Sequence, residues 1–325
     1  MQFKKCPYKV NKAIIILNLP HLPYFSFASF KIFPQKNFMI NAALVLEGGS
    51  FRTLYTSGIL DVFLENGIEF ACVIGVSAGA LNATNYIAKH VGRSAKINIG
   101  HSQDHRFFGI RQFMFKKSAF NFGYLFDEMP LLYPFDTEAI AKTKQRFLIA
   151  VTNCDTGKVE YFEPKENKEM FHILKASSSV PFLCPPVKIG DTNYLDGAIA
   201  EPIGIDKAVA EGYKKKVVIL TKKLGYMAGK VNKGERFFIK LRHKYPNFLQ
   251  TFCARPQIYN SNLNTVRELE KKGDAFVFRP TNEFSVGSLE RNARRMFNLY
   301  QHGREHAIEL LPAMREYLGN EANEK

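Results

Sequence analysis

The chain has no long hydrophobic run. Over its 325 residues no stretch approaches the roughly 18 apolar residues of a spanning helix, so no membrane-spanning helix is expected. Cysteine is sparse. The five present include no C-x-x-C pair, which leaves neither a disulfide framework nor a zinc site. An odd count of scattered thiols points to a reducing, cytoplasmic setting. No helix-turn-helix, zinc-finger or RNP-type signature occurs, and no specific nucleic-acid partner is expected. No metal-ligand cluster occurs either, so no metal and no obligate cofactor are expected. Internal repeats are absent. Acid is missing where base is abundant: residues 1–38 hold six Lys and no acid, and residues 221–256 hold nine Lys/Arg against Glu235 alone. These two stretches carry most of the formal charge of +15. They read either as solvated surface or as a place of peripheral contact with an anionic membrane.

What is present is an ordinary globular composition, with 46% hydrophobic and 23% charged residues. The length suits one large α/β domain with an accessory piece, or two small domains. Residues 1–38 stand apart. They have a basic start, an apolar patch at Ala13–Leu17, and Pro20, Pro23 and Pro34 among aromatics. The patch is too short for the core of a signal peptide. A poorly ordered extension is expected there, and Met39 is a candidate internal start.

From Ala42 a regular pattern begins. Ala42–Leu46 and Phe70–Ile74 are short continuous apolar runs, the mark of strands buried on both faces. Phe147–Val151 and Val217–Leu220 read the same way, and Ala275–Phe278 is a further strand candidate. Leu54, Gly58, Ile59, Val62 and Phe63 recur at helical spacing. Asp206–Gly212 looks like a capped helix, and helices are expected from Leu289 onward. Strands alternating with helices predict a mostly parallel sheet covered on both faces. The stretch Phe107–Phe135 carries ten aromatics with Arg106, Arg111, Lys116 and Lys117 interleaved. It reads either as core wrapped around the sheet or as a lid or acyl-chain channel with an interfacial rim.

The strongest chemical signal is Gly75-Val76-Ser77-Ala78-Gly79, a G-x-S-x-G between a buried strand and a helix. Such a turn is so tight that only small residues fit two places before and after the serine, as Gly75 and Gly79 do. It pushes the hydroxyl out over the sheet edge, where the N-terminus of the next helix offers N–H groups to developing negative charge. The second signal is Glu47-Gly48-Gly49-Ser50-Phe51-Arg52, also between strand and helix. Consecutive glycines can turn backbone N–H groups toward one point, as a phosphate cradle or as an oxyanion hole. The Gly-Lys-Ser/Thr ending of a Walker loop is missing, and Thr53 stands where a dinucleotide loop needs its last glycine. An oxyanion hole needs only convergent N–H groups beside the nucleophile. Turns after neighbouring parallel strands provide that. Arg52 either holds this loop, binds an anionic head group or is a surface arginine. The third signal is Asp196-Gly197-Ala198 after Tyr194-Leu195, a carboxylate at a strand end that can reach a serine hydroxyl. A serine needs a base. His243, His302 and His306 follow Asp196 in the order of an α/β-hydrolase triad, but none sits in a Gly-flanked loop.

These three pieces, in this order, resemble the patatin-like phospholipase family, with its Gly-rich oxyanion loop, G-x-S-x-G and D-G-G/A. The stretch from Ala176 to Phe182 is similar to the family's segment before the aspartate. The resemblance covers about residues 42–225, and the C-terminal part looks like the extension of a bacterial subgroup. It implies an α/β fold, a three-layer α/β/α sandwich with a mostly parallel central sheet, plus a mixed, largely helical C-terminal extension. The expected divisions are an N-terminal extension at 1–38, a catalytic domain at 39–225 and the extension at 226–325. It implies a serine lipid acyl hydrolase of phospholipase A or lysophospholipase type, with an acyl-ester lipid as substrate. Ser77 is then the nucleophile and Asp196 its proton acceptor. Gly48, Gly49 and Ser50 hold the oxyanion, and Arg52 and Ala78 complete the oxyanion and substrate-binding set. A His-containing triad and a catalytically weak binding protein are the alternatives. The sequence departs from the pattern at Ser50, where the family has a third glycine. A positive φ there costs a serine on the order of 1 kcal/mol, and loss of one oxyanion donor costs about 3 kcal/mol of transition-state stabilisation.

Overall fold

The structure is a computed structural model. It describes residues 16–17, 25–26, 38–106, 118, 121–136, 138–231, 245–281, 284, 286–287 and 290–319. Of the N-terminal 37 residues, Ile16–Leu17 pair antiparallel with Phe25–Ser26. The rest of that extension lies outside the described residues. So do Phe107, Phe108, Arg111, Phe113, Phe115, Lys116, Lys117, Phe120 and His243.

The first buried run forms β1 (Phe38–Leu46) and the second forms β2 (Ile68–Val76). Between them runs α1 (Leu54–Glu65), and α2 (Ala78–Ile87) and α3 (Arg93–Gly100) follow. The chain continues through β3 (Arg146–Asn153), β4 (Val159–Phe162), α4 (Asn167–Ser177), β5 (Val187–Ile189) and β6 (Thr192–Asp196). It ends with α5 (Ile205–Ala210), β7 (Lys216–Ile219), α6 (Pro246–Lys272), β8 (Ala275–Phe278) and α7 (Ala293–Leu318).

The sheet order is β8-β7-β1-β2-β3-β6-β5, with β4 paired to β3 off this path. The run from β8 to β3 is parallel. β4, β6 and β5 pair antiparallel, so the sheet is mixed at one side. Alternation along the strands makes it the middle layer. Leu44 and Leu46 point into one core with Val217 and Ile219. Ala43 and Val45 point into the other with Val218 and Leu220. The first core is roofed by α1, α2, α3, α4 and α7, the second by α5 and α6. This is an α/β sandwich, and a continuous apolar run is what a strand facing two cores requires.

The C-terminal region completes the sheet rather than standing apart. β8 extends the parallel ladder beside β7, with Ala275 opposite Lys216. α7 lies on α1 so closely that a Cβ on Gly303 would meet the Tyr55 backbone carbonyl. Tyr300 donates to Asp61 Oδ2 at 2.7 Å, and Arg304 makes a two-pronged ion pair with Glu65 at 2.8 and 3.0 Å. The 27-residue α6 starts inside the basic stretch and runs well past it, and its apolar positions give only a weak sequence signal. Its buried Phe248, Phe252, Pro256, Leu263 and Val266 form one narrow stripe among polar residues.

Candidate active site

Register brings the three sequence signals together. β1 and β2 are neighbours with Leu46 opposite Gly75, so the turns leaving their C-terminal ends meet. Val76 lies opposite Ala150 on β3, and Asp196 at the end of β6 lies opposite Val151. Asp196 therefore arrives beside the residue that follows Val76. Ser77 has φ +53° and ψ −123°, a strained conformation for a residue with a side chain. The turn tolerates nothing larger than glycine at its flanks. A Cβ on Gly75 would lie 2.5 Å from the Ala80 Cα, and one on Gly79 2.7 Å from the Glu47 carbonyl oxygen.

The Ser77 hydroxyl donates to Asp196 Oδ2 at 2.8 Å. The Ser77 amide donates to Ser177 Oγ at 3.0 Å. Asp196 is held on every side. Its Oδ1 accepts the Ala198 N–H at 2.9 Å, its amide donates to the Ser179 carbonyl at 3.0 Å, and its carbonyl accepts from Thr152 Oγ1 at 2.8 Å. Burial pushes the Asp196 carboxyl up to about 6. The hydrogen bonds from Ala198 and Ser77 and the charge of Arg255 oppose that rise without cancelling it.

The glycine-rich loop packs on the same point. A Cβ on Gly48 would sit 3.3 Å from the Ser77 Cβ and 3.5 Å from that of Ala198. Ser50 takes φ +51°, so the serine adopts the left-handed conformation that a third glycine would. Thr53 Oγ1 donates to the Ser50 carbonyl at 2.7 Å and closes the turn. The Gly48 N–H donates to the Pro202 carbonyl at 3.1 Å, so that amide braces the loop. The amides of Gly49 and Ser50 lie on the same loop. Ala78, at the start of α2, brings an amide that has no acceptor within its own helix.

Comparison with known proteins bears on this arrangement. The model of the patatin-like phospholipase family matches residues 44–209, half of the chain, and that span contains all three signals. The chain belongs to the patatin-like phospholipase family. A second model, of a domain of unknown function (DUF6363), matches residues 245–319. An uncharacterised protein of Escherichia coli K12, YjjU, is 29% identical over 184 residues, 55% of this chain. The chain spans about half the length of that relative, at 51%. Among solved structures, VipD from Legionella pneumophila aligns over 84% of this chain and 67% of its own, at 13% identity and a TM-score of 0.38.

In this patatin-like chain two cavities open on either side of Ser77, and both are bounded by Ser50, Ser77 and Val180. The first has about 1090 Å³ of space, its open mouth included, and runs between α2, α3, α4 and the 121–135 segment. Leu81, Ile97, Phe122, Leu125, Phe126 and Phe171 line it. The described part of the aromatic stretch thus lies partly in the core and partly on the cavity wall. Tyr124 and Met129 are buried, while Phe122 and Phe126 face the cavity and stack at 6.0 Å. The second cavity is polar on one wall, with Glu47, Arg52, Lys222 and Arg255 beside Ser77 and Asp196.

Glu47 roots the glycine-rich loop of the patatin-like domain. Its carboxylate is buried and accepts the Thr221 amide at 2.5 Å and the Tyr259 hydroxyl at 2.8 Å. Burial raises its pKa, against the hydrogen bonds from Thr221 and Tyr259 and the charge of Arg52. Neither Tyr259 nor Arg255 stood out in the sequence, because both lie on α6 far along the chain. The signal that could have found them is the i, i+4 spacing in a basic helix. Ser177, within the family-like segment, places its hydroxyl under the Ser77 amide, which no local pattern announces. His302 and His306 go elsewhere. His302 and His306 stack at 5.7 Å, and His306 Nδ1 lies 2.6 Å from the Tyr55 hydroxyl. Neither lines the cavities at Ser77.

Proposed function

We propose that this chain is a serine lipid acyl hydrolase of the phospholipase A or lysophospholipase type, working through Ser77 and Asp196. Membership of the patatin-like phospholipase family supports lipid acyl hydrolysis in general. The observation that carries the finer reading is the 2.8 Å hydrogen bond from a strained serine hydroxyl to a buried carboxylate, at the mouth of an apolar cavity.

Asp196 accepts the proton of Ser77 Oγ as that oxygen attacks the acyl carbonyl. The carboxyl is raised to about 6, so near neutral pH it is ionised and a better base than an exposed carboxylate. The amides of Gly49, Ser50 and Ala78 take the oxyanion. Collapse breaks the ester C–O bond, and the leaving alcohol recovers the proton from Asp196. Water, losing a proton to Asp196, then attacks the acyl-serine; the acyl–Oγ bond breaks, Asp196 returns the proton to Ser77 Oγ, and the fatty acid leaves. The apolar cavity holds the acyl chain through Leu81, Phe122 and Phe126.

Contact with a bilayer belongs to the same reading. Leu131 and Leu132 are exposed beside Pro130, which lines the acyl cavity. Such a rim can enter the headgroup boundary of a membrane. No helix among the described residues is long and apolar enough to cross one.

The test is hydrolysis of a p-nitrophenyl acyl ester together with fluorophosphonate labelling. Wild type should turn over and label, and Ser77→Ala should do neither while keeping its melting temperature within a few degrees. Turnover retained in Ser77→Ala would sink the assignment.

A further inference from the structure

We propose that the second cavity is the site for a leaving alcohol of net negative charge, such as a glycerol phosphate, and that the C-terminal helix α6 completes it with Arg255. This rests on the reading of Ser77 as nucleophile, since the cavity is then where the alcohol half of the ester must lie.

The two cavities meet only at the junction of Ser50, Ser77 and Val180, and their chemistries differ. One side mixes leucines and phenylalanines with asparagines and a single cation, Arg93, which donates to the Tyr133 carbonyl and to Asn85. The other gathers three cations from three separate parts of the chain. Arg52 follows β1, Lys222 follows β7, and Arg255 comes from α6. They are close enough to feel one another and the dyad. The Lys222 ammonium is pushed down first by burial and then by the charge of Arg52, against the opposing charge of Glu47. Arg255 eases the ionisation of Asp196. Cations held together in a partly buried cleft repel, and an anion among them relieves the repulsion. Glu47 and Asp196 face the same space and offset part of this charge, Glu47 while accepting from the Thr221 amide and the Tyr259 hydroxyl, so three cations stand against two carboxylates.

The face of α6 that closes the cavity is Phe252, Arg255, Pro256 and Tyr259, one side of a helix by spacing. Each has a part. The Arg255 guanidinium lies 4.3 Å over the Phe252 ring, which fixes its plane. Tyr259 ties the face to Glu47 at the root of the glycine-rich loop. These four residues lie beyond the patatin-like match at 44–209 and inside the region matched by the domain of unknown function. For this chain that region is thus a wall of the catalytic site. It also sets a preference. A zwitterionic head group would bring its own ammonium among three cations, whereas a phosphate monoester or phosphoglycerol would not. The substrates are net anionic phospholipids or lysophospholipids.

The experiment uses the full chain, wild type and Arg255→Gln. Hydrolysis of lysophosphatidylglycerol, lysophosphatidylcholine and an uncharged p-nitrophenyl ester is measured below the micelle concentration. Binding of sn-glycerol 3-phosphate is measured separately by calorimetry. Wild type should prefer lysophosphatidylglycerol over lysophosphatidylcholine in kcat/KM. In Arg255→Gln the ratio of kcat/KM for lysophosphatidylglycerol to that for the uncharged ester should fall by about 10- to 100-fold, the loss of one charge-assisted contact. The affinity for glycerol 3-phosphate should fall by a similar factor, and Arg255→Lys should restore part of both. A drop of equal size on all three esters, or no glycerol 3-phosphate binding by active wild type, overturns the proposal. Binding that depends on Arg255 in a protein inert on every ester would sink the hydrolase reading and leave the anion site standing.

Discussion

Replacing Asp196 by Asn should inactivate the protein and, at alkaline pH, make it more stable. The carboxyl is fully buried and its pKa rises from 3.8 to about 6 on folding. The folded state therefore holds a proton between those values that the unfolded chain has already lost. Stability falls as pH rises through that window, and the whole cost is present above about 6. A rise of that size corresponds to roughly 3 kcal/mol. Asparagine removes that cost but weakens the bonds that the carboxylate accepts from Ser77 and Ala198, each worth about 1 kcal/mol. A net gain on the order of 1–2 kcal/mol is expected at pH 8, a rise in Tm of about 2–4 °C per kcal/mol. At pH 3.5 the gain should be absent. Asp61, raised to about 6, and Glu201, raised to about 7, add the same trend to both proteins and cancel in the difference. The assay is urea unfolding of wild type and Asp196→Asn at both pH values, with ester hydrolysis from pH 5 to 8. Wild-type rates should climb through about pH 6. A variant less stable at pH 8, or a stability gap that does not change with pH, would refute the reasoning.

Two further outcomes follow from the packing. Ser177→Ala leaves the buried Ser77 amide without its acceptor. It should cost about 1–3 kcal/mol and lower kcat, read by melting and by turnover of the same ester. Gly303→Ala would drive a methyl group into the Tyr55 carbonyl where α7 crosses α1. A loss of about 1–3 kcal/mol or more is expected, measured by urea unfolding. Unchanged stability would mean that the two helices are not seated as described.

Much of the site could be read from the sequence because it is made of local turns. A buried strand, a glycine-flanked serine and a small-residue helix start occupy a dozen consecutive positions, and sterics alone make that pattern informative. The glycine-rich loop was legible for the same reason, but not the partners of its amides. The Gly48 N–H donates to the carbonyl of Pro202, far along the chain. His302 and His306 show the converse. Their order after Asp196 permitted a triad, while their place on α7 against Tyr55, Phe278 and Phe284 was a matter of packing.

The sequence by itself determined the sheet-forming runs, the strained serine turn and the presence of an acid at a strand end, since each depends on residues within a few positions of one another. Tertiary structure alone decided the rest. The pairing of β3 with β2 and β6 brought Asp196 to Ser77 and buried it, which set its basicity. The docking of α6 brought Arg255 and Tyr259 to a loop some 200 positions earlier. Contacts across such distances rest on how two cores fill around one sheet, and no short stretch of chain encodes that.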